Sequence, residues 1–200
     1  FLSFIFLFNI SLSDVLNMKF YSTKLKDVYL IKPYIYKDFR GSYTEIYNKN
    51  IFVKNSMKIK FIQDDISISK KNVLRGIHGD LKSHKLVSCL HGEIYFVVAD
   101  NREDSPTYGK WEATILGGRN RKQVLVPPGV GNGFMVLSQE AVFHYKWMYE
   151  GEYPDVKDQF TIRWDDPYYN VQWPHANPIL SVRDTSIPWR LTKNFQRSKK

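Results

Sequence analysis

From Val28 onward the chain is a succession of short runs rich in Val, Ile, Tyr and Phe, each closed by a turn signal, with no long helical period. Such a chain is confined to a sandwich or barrel of short strands. The pattern predicts strands at 28–36, 42–47, 58–68, 73–77, 86–90, 93–100, 111–116, 123–126, 133–137 and 141–148. Between them lie Asp38-Phe39-Arg40-Gly41, Asn72, His91-Gly92, Ser105-Pro106, Gly117-Gly118 and Pro127-Pro128-Gly129, all turn chemistry. Pro33 marks an edge or a bend. In 58–68, Ile62, Ile66 and Ile68 alternate with Gln63, Asp65 and Ser67, as in a barrel strand whose polar side lines a pocket. After Trp164 the chain is rich in Pro, Asp and Asn and is expected to wrap the barrel as irregular structure.

The 200 residues suit one domain, and 43% hydrophobic with 24% charged residues can bury a full core. Three segments are expected: an upstream or non-native extension at 1–17, a domain at 18–189 and a basic tail at 190–200. The apolar stretch at 1–8 is too short to span a membrane and lacks the flanks of a secretory signal; the first Met is Met18. Net charge is +9, but the tail holds five basic residues and no acid, leaving 24 basic and 20 acidic residues elsewhere. That distribution favours a small anionic ligand over nucleic acid. Cys89, the single cysteine, sits in an apolar run and reads as a buried, inert thiol in a reducing cytoplasm.

No Gly-rich phosphate loop and no Gly-x-Ser-x-Gly elbow occur. His78, His84 and His91 are too widely spaced for a close metal-binding pair, and Asn132 stands where a cupin would supply a later His, so no metal is expected. Taken singly, His78 is an ordinary strand histidine, Tyr145 a core aromatic, Lys85 a solvated lysine and Asp184 a turn residue. Arg75 and His78 have opposite strand parity, so a bulge or strand end must intervene if both serve one pocket.

Ordered runs change the weight of these residues. They are Asp38-Phe39-Arg40-Gly41-Ser42-Tyr43-Thr44-Glu45, Phe61-Ile62-Gln63-Asp64-Asp65, Ser69-Lys70-Lys71-Asn72, Val73-Leu74-Arg75-Gly76-Ile77-His78 and Lys85-Leu86-Val87. Farther on come Ser105-Pro106-Thr107-Tyr108-Gly109-Lys110-Trp111, Phe143-His144-Tyr145-Lys146, Arg163-Trp164-Asp165-Asp166-Pro167, Trp173-Pro174 and Leu180-Ser181-Val182-Arg183-Asp184. In order and spacing the chain resembles the dTDP-4-dehydrorhamnose 3,5-epimerase family from Met18 to Thr185. The resemblance implies an all-β, jelly-roll, cupin-like barrel with short helices, working as a homodimer without cofactor or metal. It implies His78 as general base, Asp184 orienting it, Tyr145 as acid on the opposite face and Lys85 near the developing oxyanion. Arg40, Glu45, Gln63, Asp65, Arg75, Asn132 and Arg183 match positions that contact the nucleotide-diphosphate sugar.

The sequence departs from that pattern at Asn132, in place of the usual His, and at Gly79-Asp80, in place of a bulky residue and Gln. The segment between His78 and Lys85 is also short. These departures resemble variants acting on GDP-linked 4-keto-6-deoxy-heptoses in capsule synthesis. A C3-only epimerase, a ketoisomerase and a non-catalytic sugar-nucleotide-binding cupin are the alternatives.

Overall fold

A computed structural model describes residues 18–186; the expected extension at 1–17 and the basic tail at 190–200 lie outside the described residues. In chain order the strands are β1 (Lys19–Ser22), β2 (Tyr29–Lys32), β3 (Tyr36–Asp38), β4 (Gly41–Tyr43), β5 (Gln63–Lys70), β6 (Leu74–Gly79) and β7 (His84–His91). They continue as β8 (Glu93–Asp100), β9 (Trp111–Gly117), β10 (Gln123–Val126), β11 (Val130–Val136), β12 (Glu140–Met148) and β13 (Phe160–Thr161). Among the described residues, two short helices, α1 (Lys49–Lys54) and α2 (Val182–Thr185), and one 3₁₀ turn complete the regular structure. None of the described helices is long and apolar enough to cross a membrane.

The strands form a six-stranded sheet, β1-β2-β10-β7-β12-β5, and a five-stranded sheet, β13-β6-β11-β8-β9, with β3 and β4 as a separate hairpin. All the sheet pairings are antiparallel. The expected all-β jelly-roll is therefore the fold. One core lies between the sheets, where Val87, Val124, Val126 and Phe143 meet Phe96, Val98, Leu116 and Phe134. Burying such side chains contributes about 1.5–3 kcal/mol each against a comparable loss of chain entropy. β8 is apolar on both faces because it is covered twice. Phe96 and Val98 face the central core, while Val97 and Ala99 pack under Ile162, Tyr169 and Trp173 of the wrapping C-terminal segment.

The other sheet is covered by the N-terminal part of the chain. Asn48 caps α1 by accepting from the Asn50 and Ile51 amides, and the helix buries Phe52 against Ile31, Leu86 and Leu125. This helix replaces part of the run between two expected strands. The expected strand at 28–36 stops at Lys32, before Pro33, and the one at 42–47 shortens to Gly41–Tyr43. Cys89 is buried, and burial pushes its thiol up to about 11, as an inert core residue requires.

β5 has the expected alternation. Its polar residues face inward, with Ser67 on the cavity described below. Ile62, Ile66 and Ile68 face outward at the open edge of the six-stranded sheet and are 54–61% exposed.

Candidate active site

A cavity of about 400 Å³ opens between the sheets. His78 and Arg75 reach it from β6, Asn132 from β11, Lys85 from β7 and Tyr145 with Trp147 from β12; Arg183 and Asp184 reach it from α2. Every proposed catalytic residue thus lines one space, together with three of the seven proposed substrate contacts.

The parity conflict between Arg75 and His78 is resolved in the backbone. Asn132 pairs with His78, but Phe134 pairs with Arg75, so β6 carries one extra residue at this point. Gly76 supplies the irregularity at φ +111°, a conformation open to glycine. A Cβ there would stand 2.7 Å from the Asn132 carbonyl oxygen and 2.7 Å from the Gly133 Cα. Gly76→Ala should therefore destabilise the protein by about 2–4 kcal/mol and reduce turnover, because Arg75 and His78 are aimed from this bulge. Urea unfolding beside an activity assay checks it; an unchanged midpoint would contradict the bulge.

Asp184 comes to His78 from 106 residues away. The irregular C-terminal segment pairs Ile179 with Val73, after which Ser181 caps α2 and places Asp184 in its first turn. The His78 Nε2 to Asp184 Oδ1 distance is 2.6 Å, and the Ser181 hydroxyl donates to Oδ2 at 2.7 Å. Burial pushes the Asp184 carboxyl up, but the bonds from His78 and Ser181 outweigh it and hold the group below its usual range. As an ionised acceptor it fixes the proton on Nε2 and leaves the lone pair on Nδ1. Because folding lowers its pKa, Asp184 stabilises the fold above the ordinary carboxylate range. That contribution is lost as pH falls through the lowered value.

Tyr145 stands on the facing sheet, between the rings of Phe143 (5.2 Å) and Trp147 (5.5 Å). Burial, reinforced by Asp65 and Tyr153, raises its phenol above the usual value, so it holds a proton at neutral pH. Lys85 is 6% exposed, with its Nζ 4.3 Å from the Trp147 ring centroid and 3.3 Å from Asp80 Oδ2. Arg75 donates to Ser69 Oγ at 3.0 Å, and Arg183 is held by Gln159 and Thr161. The Asn132 Oδ1 atom is buried without a hydrogen-bond partner. A buried acceptor left open beside a cavity is suited to a ligand donor.

Gln63 and Asp65, expected to contact substrate, are not among the residues that line the cavity. They are bonded to each other at 2.9 Å, and Tyr149 donates to Gln63 at 2.6 Å. Arg40 and Glu45 are not brought to this cavity. Arg40 is exposed on the β3–β4 turn and paired with Asp38, and Glu45 accepts from Asn48. Gly79 does not widen the cavity either, since a Cβ there would meet the Phe160 ring at 2.4 Å: that ring fills the place a larger side chain would take. Ser67 lines the cavity as the polar alternation of its strand predicts. Residues not singled out from sequence also line it, among them Asp155, Gln159 and Ser181, of which Ser181 had a visible signal, the Ser-x-x-Asp capping pattern ahead of Asp184. Among the described residues, no three His, Cys, Asp or Glu side chains are placed to hold a metal ion together.

Comparison with known proteins shows the family and the fold. The sequence model of dTDP-4-dehydrorhamnose 3,5-epimerase matches residues 22–190. The Shigella flexneri enzyme of that name is 38% identical over 171 residues, covering 84% of this chain and 93% of its own. The crystal structure of the Elizabethkingia anophelis enzyme superposes with a TM-score of 0.80 at 37% identity, over 89% of this chain and 99% of that one. A Legionella pneumophila 3,5-epimerase, solved with dTDP-4-keto-L-rhamnose, gives 0.78 at 36% identity, over 84% and 90% of the two chains. With the jelly-roll, the paired His78 and Asp184, and matches over most of its length, this chain belongs to the dTDP-4-dehydrorhamnose 3,5-epimerase family.

Proposed function

We propose that the protein is an isomerase inverting C3, C5 or both of a nucleotide-linked 4-keto-6-deoxy sugar through an enolate. The observation that carries this reading is the placement of a carboxylate-oriented His78 and a protonated Tyr145 on opposite walls of one cavity, with Lys85 on the same lining. A ketone at C4 acidifies the C–H bonds on either side of it. His78 removes one such proton, and the electron pair moves to the ketone oxygen as the enolate forms. The Lys85 ammonium, in a largely dry site, stabilises that oxygen. Tyr145 returns a proton to carbon from the other face, which inverts the centre. Arg75 and Arg183 supply positive charge for the diphosphate.

The finer reading is a GDP-linked 4-keto-6-deoxy-heptose in surface-polysaccharide synthesis. Its support lies in Asn132, whose unpaired buried oxygen suits a sugar hydroxyl; Gly79 lends it none, since Phe160 occupies that space. Turnover of GDP-4-keto-6-deoxy-heptose and dTDP-4-keto-6-deoxyglucose, followed by NMR with and without chelator, tests both levels. The expected result is epimerisation with preference for the GDP sugar, unchanged by chelator. Equal or better turnover of the dTDP sugar would reject the finer reading, and activity on neither would reject the function.

A homodimer belongs to the same proposal. The outward stripe of Ile62, Ile66 and Ile68 lies on an edge strand, and Tyr36, Phe39 and Tyr43 are exposed on the hairpin that carries Arg40. A second copy covering these surfaces would give Arg40 and Glu45 a site to serve. A nucleotide-sugar enzyme with one buried thiol suits a reducing cytoplasm.

A further inference from the structure

Lys85 presents an energetic problem. An ammonium that is 6% exposed loses most of its hydration, and a buried amine tends to shed its proton instead. One compensation is the Trp147 ring. The other is Asp80, itself 2% exposed, on the short connection between β6 and β7. Its two oxygens do different things. Oδ1 accepts the backbone amides of Lys82 at 2.9 Å and Ser83 at 2.6 Å, which folds the connection into a tight turn. Oδ2 is buried and meets the Lys85 ammonium at 3.3 Å, as an ion pair rather than an aligned hydrogen bond. Asp80 does not line the cavity, so it meets the substrate only through Lys85.

We propose that Asp80 is a positioning residue for the reaction, holding Lys85 in place and in its charged form on the wall of the cavity where the enolate oxygen develops. The proposal rests on the role given to Lys85 above. The charged and titratable groups that share the cavity lining with Lys85 are Arg75 and His78 on β6, Tyr145 on β12, Tyr153 and Asp155 beyond it, and Arg183 with Asp184 on α2; Asp80 meets it from the turn, and His84 precedes it on β7. Burial lowers the Lys85 pKa, Asp80 opposes that shift, and Arg183 adds to it. Without the Asp80 charge, burial and Arg183 act unopposed, and the amine becomes neutral at lower pH.

Asp80→Asn separates this role from that of a turn-maker, because the amide oxygen can still accept from Lys82 and Ser83. The test is the titration of the Lys85 Cε resonance in 13C-labelled protein, assigned with Lys85→Arg, beside the pH profile of kcat on the two keto sugars above. In Asp80→Asn the Lys85 midpoint should fall by about one pH unit or more, a tenfold change in proton affinity. The alkaline limb of kcat should move down with it, while KM stays within about twofold and the melting temperature is nearly kept. An unmoved Lys85 midpoint overturns the proposal, as does a moved midpoint with an unmoved kcat profile. Inactivity of the wild-type protein on both sugars, with the midpoint still moving, would sink the proposed function and leave the charge coupling standing. Should Asp80→Asn fail to fold, Lys85→Met reads the pair from the other side. The Asp80 carboxyl midpoint must then rise by about one unit, and no rise overturns the proposal.

Discussion

His78→Asn should slow both epimerisation and solvent exchange beside the ketone by about two to four powers of ten, the scale of a lost general base. The amide ends near the position of Nδ1 and falls short of the Asp184 oxygen that Nε2 meets, but Ser181 still holds that carboxylate, so the fold should persist with some loss of stability and nucleotide binding should change little. What it lacks is a basic lone pair beside a paired N–H. Asp184 cannot stand in, because its carboxylate is 3% exposed and engaged with Ser181 behind the histidine. Both readouts matter. Loss of epimerisation with exchange retained would mean that another group takes the proton, and the assignment of His78 as base would fail.

Tyr145→Phe should have a different signature. The variant keeps His78, Asp184 and Lys85, so the enolate still forms, and it keeps the ring that packs between Phe143 and Trp147. Only the phenolic proton on the opposite wall is lost. Reprotonation then comes from the histidine side. In heavy water the variant should incorporate deuterium beside the ketone with retained configuration, while epimer formation falls about a hundredfold or more. Normal epimerisation would transfer the acid role to another group, with Tyr153 on the same cavity as the next candidate. Abolition of exchange to the same degree as in His78→Asn would place Tyr145 in binding or enolisation and end the two-wall account.

Much of this geometry was legible in the sequence where local pattern and tertiary environment agree. β8 falls on the expected 93–100 because an apolar run bounded by Gly92 and a charged turn has one sensible conformation when both faces are covered. The opposite parity of Arg75 and His78 demanded a bulge, and Gly76 provides it. The alternation around Ile66 gave a strand with its polar side inward, against the usual orientation, because that side borders a cavity.

What escaped depends on contacts distant in sequence. Residues 49–54 contain Ile51 and Val53 and carry little helical signal; the Asn48 cap and the burial of Phe52 decide for helix. β13 has two residues and exists because β6 offers an edge beside the bulge. Arg40 and Glu45 follow the family pattern in sequence, yet the hairpin that carries Arg40 holds it away from its own chain's cavity. Asp80 read as a changed pocket residue and instead stands behind Lys85, because the short connection turns its side chain back onto the lysine. Gly79 stands where the family pattern has a bulky residue, and Phe160, about eighty residues later, fills the space that side chain would take.

The most direct test of the central claim is the reaction of the wild-type protein with a nucleotide-linked 4-keto-6-deoxy sugar in heavy water, read by proton NMR. Removal of a proton at one wall and its return from the other predicts that every inverted carbon carries deuterium in the product, at C3, C5 or both. Inversion with the original hydrogen retained would contradict proton abstraction by His78 and return by Tyr145.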